Sequence, residues 1–122
     1  MDGLPIISYY YSTGGDLKVT HCGTITCASG NTTTAVVTTN DVGQYTSIAI
    51  NHSSQPQITY YDATGGDLHM VDCQNQVCSA AYEDITAEST NNIGQYSSVA
   101  IGPNGLPTIA YYDVTNADLR IA

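Results

Sequence analysis

The chain repeats itself with a period of 51 residues. The segment GLPIISYYYSTGGDLKV begins at Gly3, SQPQITYYDATGGDLHM begins at Ser54, and GLPTIAYYDVTNADLRI begins at Gly105. The same offset relates GQYTSIAI at Gly43 to GQYSSVAI at Gly94. Self-similarity at a fixed period of this size is typical of arrays in which one supersecondary unit is stacked on the next. The fold is therefore expected to be built from copies of a single unit.

Each period contains four segments with the character of β-strands. Strand A is GQYTSIAI and its copy, which are rich in β-branched and small residues, and strand B is PQITYYD. Strand C is DLHMVDC, with DLKVTHC in the first copy. Strand D follows the paired cysteines, around Ala35 to Thr38 and Ala80 to Ile85. Because no segment has a convincing helical period, the sequence predicts an all-β protein.

The connections between these segments differ in length, and the difference predicts a topology. Strands A and B are joined around Asn104-Gly105, a dipeptide that favours tight hairpins. Strands B and C are joined through Gly14-Gly15 and Gly65-Gly66, and C reaches D across the residues between the cysteines. Strand D reaches the next A through a longer polar stretch such as AESTNNIG. Three tight hairpins and one crossover make an antiparallel four-stranded meander.

A four-stranded unit of about 40 to 50 residues resembles a blade of a β-propeller, as found in repeat proteins secreted by bacteria. The small residues Ser47, Ala49, Ser98 and Ala100 suit strand A to a crowded inner position. The chain lacks the Trp-Asp, kelch and NHL signatures, and the Asp-box of sialidases needs an aromatic residue that is absent here. The resemblance implies propeller-like blades, two and a half per chain, and no particular activity.

We expect one repeat domain over residues 1–122, made of an incomplete unit 3–42, a complete unit 43–93 and an incomplete unit 94–122. The strand content is then B-C-D, A-B-C-D and A-B-C. An unpaired first B and last C would leave open ladders of backbone groups, which soluble proteins normally cover. The expected partner is a second copy of the chain, in a head-to-tail homo-oligomer that forms a ring or a filament. The alternative is a fragment of a longer repeat protein.

The charge balance limits the partners that the chain can bind. Lys18 and Arg120 stand against eleven carboxylates, so the formal net charge is −9. Because no basic patch can neutralise a phosphate backbone, nucleic acid and anionic membrane surfaces are poor partners. No apolar run approaches the roughly 20 residues of a membrane span, and no signal peptide is visible at the amino terminus.

The cysteines form two pairs, Cys22 with Cys27 and Cys73 with Cys78, each enclosing four residues. This spacing predicts a local disulfide in each pair that staples strand C to strand D. Such a short ring contributes roughly 2 to 3 kcal/mol at best. Disulfides imply an oxidising compartment, so we expect an extracellular or periplasmic protein.

A zinc site is an alternative use of the first cysteine pair, because His21 lies beside Cys22. Zinc knuckles, however, have two residues between their cysteines, and the second copy has Asp72 in place of His21. The prediction therefore favours disulfides over zinc, with free thiols as a third reading.

Aspartates recur at the hairpin between strands B and C. Asp62 and Asp67 bracket one such loop and could share a calcium ion, which prefers oxygen ligands. The favoured alternative is that aspartates at a turn satisfy backbone amides, because Tyr11 replaces the first aspartate in the first copy. We therefore expect no cofactor, with calcium as the alternative. The aspartates in corresponding positions are Asp16, Asp113 and Asp118.

All ten aromatic residues are tyrosines. The doublets Tyr9-Tyr10, Tyr60-Tyr61 and Tyr111-Tyr112 place one ring on each face of strand B, where packing between blades is the favoured role. The alternative role is a platform for sugar rings. Tyr45 and Tyr96 open strand A and are better placed to be exposed. The candidate ligand-binding residues are Tyr45, Tyr61, Tyr96, Tyr112, Asp62, Asp67, Asp113 and Asp118.

No catalytic residue is assigned from the sequence. His21, His52 and His69 lie at unrelated positions of the repeat, and no GxSxG motif or phosphate-binding loop is present. We expect a non-enzymatic binding or assembly module that associates with itself, and carbohydrate is the leading ligand by analogy with propeller lectins. The alternatives are a fragment of a secreted hydrolase and a purely structural repeat of a larger surface protein.

Overall fold

The computed structural model describes residues 2–79 and 82–122. These residues form ten β-strands and no helix, so they include no helical segment that could span a membrane. The predicted all-β class is confirmed for this part of the chain. The strands are β1 (Ile6–Tyr11), β2 (Asp16–His21), β3 (Thr32–Val37), β4 (Val42–Ile50), β5 (Pro56–Asp62), β6 (Asp67–Cys73), β7 (Tyr82–Glu88), β8 (Ile93–Ile101), β9 (Pro107–Asp113) and β10 (Asp118–Ile121).

The strands form three antiparallel sheets. Sheet 1 has the order β1-β2-β3, sheet 2 the order β4-β5-β6-β7, and sheet 3 the order β10-β9-β8. Within each sheet every strand pairs with its neighbour along the chain, which is the meander expected from the short connections. Strand A corresponds to β4 and β8, B to β1, β5 and β9, C to β2, β6 and β10, and D to β3 and β7.

Strand D was the element whose bounds were predicted least well. In sheet 1 it begins at Thr32 rather than near Ala35, because the side chain of Asn31 closes the preceding loop. Asn31 Oδ1 accepts a hydrogen bond of 3.1 Å from Gly23 N, and its Nδ2 donates one of 2.9 Å to Cys27 O. In sheet 2 the strand continues past Ile85 to Glu88, while the predicted start at Ala80 lies outside the described residues.

Both predicted cysteine pairs are bonded, with Cα–Cα distances of 4.8 Å for Cys22–Cys27 and 5.1 Å for Cys73–Cys78. The prediction that these bonds staple strand C to strand D is wrong, because Cys27 and Cys78 lie in loops that precede β3 and β7. Each bond closes a small turn after strand C instead. The two disulfides are compatible with an oxidising, extracellular compartment.

The sheets stack face to face, with sheet 2 between the other two, and an apolar cluster fills each junction. Side chains alternate between the two faces of every strand, so sheet 2 contributes one set of residues to each junction. The cluster between sheets 1 and 2 contains Leu17, Val19, Val36, Val37, Val42, Ile58, Tyr60, Val71, Cys73 and Cys78. The cluster between sheets 2 and 3 contains Leu68, Ile93, Val99, Ile109 and Tyr111.

Equivalent main-chain hydrogen bonds occur at the two junctions. Val42 N donates a hydrogen bond of 2.9 Å to Gly15 O at the first junction, and Ile93 N donates one of 3.0 Å to Gly66 O at the second. Donors and acceptors at the two junctions are 51 residues apart. These bonds fix the start of β4 and β8 against the B–C hairpin of the preceding sheet.

A glycine allows the closest approach at each junction. Gly43 has φ +97°, and a Cβ at this position would lie 2.7 Å from Leu17 Cα; at Gly94, with φ +98°, it would lie 2.8 Å from Leu68 Cα. L-residues rarely adopt this backbone conformation, and the contacted atoms are main chain that cannot turn aside. The backbone of strand A can therefore approach the preceding sheet this closely only where the strand carries glycine.

We expect Gly43→Ala to destabilise the protein more than Gly66→Ala. Gly66 also has positive φ, +77°, but a Cβ there would be 3.7 Å from the nearest atom. Ala117 adopts φ 56° at the corresponding turn of sheet 3, so alanine is tolerated there. The backbone cost of about 1 to 2 kcal/mol applies to both variants, and overpacking adds about 1 to 3 kcal/mol for Gly43 alone. Urea unfolding measures both; equal losses would contradict the close-packing argument.

Candidate functional site

Four of the tyrosines nominated from the sequence form a continuous row across sheets 2 and 3. The ring centroids are 6.1 Å apart for Tyr61 and Tyr45, 4.4 Å for Tyr45 and Tyr96, and 6.4 Å for Tyr96 and Tyr112. Neighbouring rings are tilted by 50°, 49° and 55°. Tyr96 is 66% exposed and Tyr45 38%, as expected for these two, whereas Tyr61 is buried. We call these four side chains the tyrosine row.

The two central tyrosines of the row lie on β-bulges. In sheet 2 the pairing passes from Gln44 opposite Tyr61 to Ser47 opposite Thr59, so β4 has one more residue than β5 over this interval. The same irregularity occurs in β8. Tyr45 has φ 51° and Tyr96 has φ 54°. A bulky residue at positive φ is a genuine outlier, and such conformations cost on the order of 1 to 3 kcal/mol each. The bulges turn both rings toward solvent.

Hydrogen bonds between sheets hold the row in place. Ser97 Oγ donates to Tyr45 O at 3.0 Å and shares a buried hydrogen bond of 2.9 Å with Thr59 Oγ1. The Tyr61 hydroxyl donates to Asn92 Oδ1 at 2.8 Å. A contact with the Tyr96 hydroxyl raises the pKa of Tyr45, so this phenol is neutral at neutral pH. The two hydrogen bonds between sheets therefore fix Tyr45 and Tyr61 within the row.

Asp62 and Asp113, the nominated aspartates at the ends of strand B, accept hydrogen bonds from the turns that follow them. Asp62 Oδ1 accepts hydrogen bonds from Thr64 N at 2.7 Å and Gly65 N at 3.1 Å. Asp113 is fully buried and accepts from both Asn116 N and Asn116 Nδ2. The Asn116 side chain holds the pKa of Asp113 below its usual range. These contacts agree with the structural role that the sequence favoured for aspartates at this hairpin.

The remaining nominated aspartates lie opposite these in the strand pairing. Asp67 pairs with Asp62, and Asp118 pairs with Asp113. Among the described residues, no group of three or more His, Cys, Asp or Glu side chains is arranged to hold a metal ion. A calcium ion shared by Asp62 and Asp67 stays a prediction, and the zinc alternative at His21 conflicts with the bonded state of Cys22.

Sequence reasoning missed a partly exposed polar cluster around the buried Tyr60, on the opposite face of sheet 2. The Tyr60 hydroxyl donates to both carboxylate oxygens of Asp84 at 2.9 Å, and His69 Nδ1 lies 3.2 Å from Asp84 Oδ1. The His69 ring stacks on Tyr60 with a centroid distance of 5.2 Å. Burial raises the pKa of Tyr60, and the hydrogen bond to Asp84 raises that of His69. The register of β5 against β6 places Tyr60 opposite His69, and the register of β6 against β7 brings Asp84 to both.

A second polar cluster joins sheets 2 and 3. Arg120 Nη2 lies 2.8 Å from Glu88 Oε1, and Arg120 Nη1 lies 3.4 Å from Asp113 Oδ2. The Tyr111 hydroxyl also donates to Glu88, and burial raises the pKa of Tyr111 to about 12. The other basic residue, Lys18, lies with Nζ 3.4 Å from the centroid of an exposed tyrosine ring on β1. Both cationic side chains therefore have partners within the chain.

The described residues enclose no pocket, and three rings of the row, Tyr45, Tyr96 and Tyr112, are exposed on the surface. Aromatic rings arranged on an open surface bind other molecules by stacking and by contacts with their hydroxyl groups. Comparison with protein-family models and with curated proteins found no match to this chain. The functional interpretation therefore depends on the geometry.

We expect His69 to make folding stability depend on pH. Its folded pKa lies above the ordinary value because of Asp84, with smaller contributions from Asp62 and Asp67. The stabilisation is therefore fully present below the unfolded pKa of about 6.5 and is lost as pH rises through the folded pKa. Urea unfolding at several pH values should show this decline in the parent chain and a flatter profile in His69→Gln.

The matched control is His52→Gln, at an exposed position. Asp84→Asn should flatten the profile as well, since the amide oxygen can still accept from Tyr60 but carries no charge. Parallel pH profiles for the parent chain and His69→Gln would contradict the assigned role of the Asp84 contact.

Proposed function

We propose that this chain is an assembly module made of propeller-like β-sheet units, which associates with further copies of itself by stacking their outer sheet faces. The observation that carries the proposal is a contrast in exposure. Leu17 and Leu68 are both 0% exposed at the junctions inside the chain, whereas Leu119, 51 residues further along, is 76% exposed. The outer face of sheet 3 thus presents a side chain that is covered wherever another sheet follows.

The neighbouring apolar residue on β10 repeats this contrast. Ile121 is 70% exposed, whereas Val19, at the corresponding position of β2, is 1% exposed and belongs to the first apolar cluster. Leu119 and Ile121 lie on one face of the strand because alternate residues share a face. Together they form an exposed apolar pair, of the kind that marks an interaction surface.

The outer face of sheet 1 carries the other half of such a junction. Ile7 on β1 is 45% exposed, whereas Ile58, at the corresponding position of β5, is fully buried in the cluster that contains Leu17 and Val19. Ile109 at the second junction is buried in the same cluster as Leu68. Ile7 of one copy would therefore take the place that Ile58 and Ile109 have at the internal junctions. It would pack against Leu119 and Ile121 of the next copy.

The proposed contact is heterologous, because the two copies use different faces. Burying each aliphatic side chain is worth about 1.5 to 3 kcal/mol, from which the cost of association is subtracted. Each copy carries a formal charge of −9, so like charges oppose the contact. We therefore expect weak association that strengthens as salt screens the repulsion.

Three features support the propeller-like description of the unit. The three sheets follow the order of the predicted units 3–42, 43–93 and 94–122, although β4 and β8 each begin one residue before the predicted boundary. Both junctions use the same main-chain hydrogen bonds. Positive φ angles recur 51 residues apart at Cys27 and Cys78, at Asn40 and Asn91, and at Tyr45 and Tyr96.

Sedimentation at increasing protein concentration tests the proposal. The parent chain is expected to form species above the 12.9 kDa of one chain, more readily at high salt. Ile7→Asp and Ile121→Asp each disable one face and should each be monomeric at concentrations where the parent associates, since loss of a buried aliphatic side chain weakens binding about tenfold or more. A mixture of the two variants should form a dimer that grows no further, because one intact face of each kind remains.

Leu106→Asp is the matched control, since Leu106 is an exposed aliphatic residue in the turn before β9. This variant should associate as the parent does. A parent chain that stays monomeric at all concentrations, or a mixture of Ile7→Asp and Ile121→Asp that stays monomeric while the parent associates, would reject the proposed contact.

A further inference from the structure

We infer that the tyrosine row is a binding surface for an extended, neutral polysaccharide with β-1,4 linkages. The evidence for this inference is separate from the evidence for self-association, because it comes from the exposed rings of strand A and from their strained backbone.

The conformation of Tyr45 and Tyr96 is unfavourable for folding alone. Asn and Gly accept positive φ at lower cost than tyrosine, and Asn40 and Asn91 adopt it at 75° and 78° in the loops just before. Tyrosine nevertheless occupies both bulges, and the Tyr96 ring is mainly in solvent. Strained backbone is retained where a side chain must be held in a particular direction, which makes it an indicator of function.

The arrangement of the rings fits a chain ligand rather than a single small molecule. The surface around the row has no enclosed pocket among the described residues, so a ligand would lie along it. The rings follow one another at centroid distances of 4.4 to 6.4 Å, which is close to the length of one pyranose residue. Equatorial β-1,4 linkages keep a glycan extended and expose the flat C–H faces of its sugars, whereas α-1,4 chains coil.

The tilt between the rings suits the same ligand. Successive rings are rotated by 49° to 55°. Consecutive sugars in a β-1,4 chain are also rotated about the chain axis, so a twisted row can stack on successive residues. A coplanar platform would instead favour the flat face of a crystalline polymer.

Asn92, which contacts the row, and Gln44, which precedes Tyr45 in the sequence, carry amide groups that match hydroxyl-rich ligands. Asn92 contacts the Tyr61 hydroxyl, and the Gln44 side chain, next to Tyr45 in sequence, donates to Asp41 Oδ2 at 3.1 Å. Sugar hydroxyls both donate and accept, so they can pair with amides and with carboxylates. A polyproline helix, the other common ligand of aromatic surfaces, has no backbone N–H to offer a carboxylate.

The charge of the chain selects neutral glycans. The formal net charge is −9, and both basic side chains, Lys18 and Arg120, have partners elsewhere in the chain. An acidic polysaccharide would be repelled by the carboxylates and would find no cation at the row.

Titration with soluble oligosaccharides tests the inference. Cellohexaose, xylohexaose, mannohexaose and chitohexaose represent neutral β-1,4 chains; maltohexaose, oligogalacturonate and a polyproline peptide are the comparison ligands. Tyrosine emission reports binding directly, because the chain has ten tyrosines and no tryptophan. We expect at least one neutral β-1,4 hexasaccharide to bind, with its largest NMR shifts at Tyr45 and Tyr96, and the comparison ligands to bind at least tenfold more weakly.

Two variants separate binding from folding. Tyr45→Asn and Tyr96→Asn remove a stacking ring but place a residue that tolerates positive φ at the bulge, so thermal unfolding should change by only a few degrees while affinity falls about tenfold. Tyr82→Ser, at an exposed tyrosine on β7 outside the row, should bind as the parent chain does. Repeating the titration in Ile121→Asp shows whether binding needs association.

Three results would overturn the inference. The first is no binding by any of the four neutral β-1,4 hexasaccharides. The second is binding that is unchanged in both Tyr45→Asn and Tyr96→Asn. The third is equal or tighter binding of maltohexaose, oligogalacturonate or polyproline, the last of which would identify the row as a peptide-binding surface.

Discussion

The close approach of strand A to the preceding sheet is the contact on which the remaining structure depends. At Gly43 and Gly94 the backbone of one sheet lies against the backbone of another, with no room for a Cβ atom. This contact sets the distance at which larger side chains such as Ile58 and Tyr60 meet Leu17 across the junction. Because protein interiors are close-packed, the spacing and the side-chain sizes must agree. A chain without Phe or Trp meets this requirement with tyrosine and aliphatic residues.

The same contact explains why a strained bulge can persist. The bulge at Tyr45 is held from the next sheet, where Ser97 donates to its carbonyl group and pairs with Thr59. The interactions that stabilise the junction therefore also hold the backbone of Tyr45 at an unfavourable φ angle, although its ring faces solvent. Surrounding structure commonly over-determines strained residues in this way. The tyrosine row is thus a consequence of stacking two sheets and does not exist within a single sheet.

The sequence predicted the strands more accurately than the contacts between them. The 51-residue period and the glycine-rich turns were sufficient to place strands A, B and C, because alternation and turn chemistry are local signals. Strand D was placed poorly, since the loop before it is shaped by Asn31, which contacts Gly23 and Cys27. The disulfides were paired correctly but assigned to the wrong place for the same reason.

The residues of the candidate site could be predicted from the sequence, but their arrangement in space could not. Tyr45 and Tyr96 were recognisable as exposed because they open strand A close to a crossover loop. Their bulges had a weaker signal, the glycine two residues earlier in GQYTSIAI and GQYSSVAI. The contact between His69 and Asp84 had no local signal, because it depends on the register of β6 with β7.

The tyrosine row and the exposed faces meet at one residue, and this relates the two proposals. Tyr112 ends the row and lies on the face of β9 opposite to that of the buried Tyr111. At the corresponding position of sheet 2, Tyr61 is covered by sheet 3. A second copy stacked on sheet 3 would therefore cover Tyr112 while leaving Tyr96 at the rim of the junction. The strained tyrosines of the row lie on β4 and β8. The row would therefore grow with each added junction only if the added sheet carried a strand of this kind. Stacking through sheet 1 instead adds β1 and β2, so association would shorten the accessible row at one end and would not lengthen it.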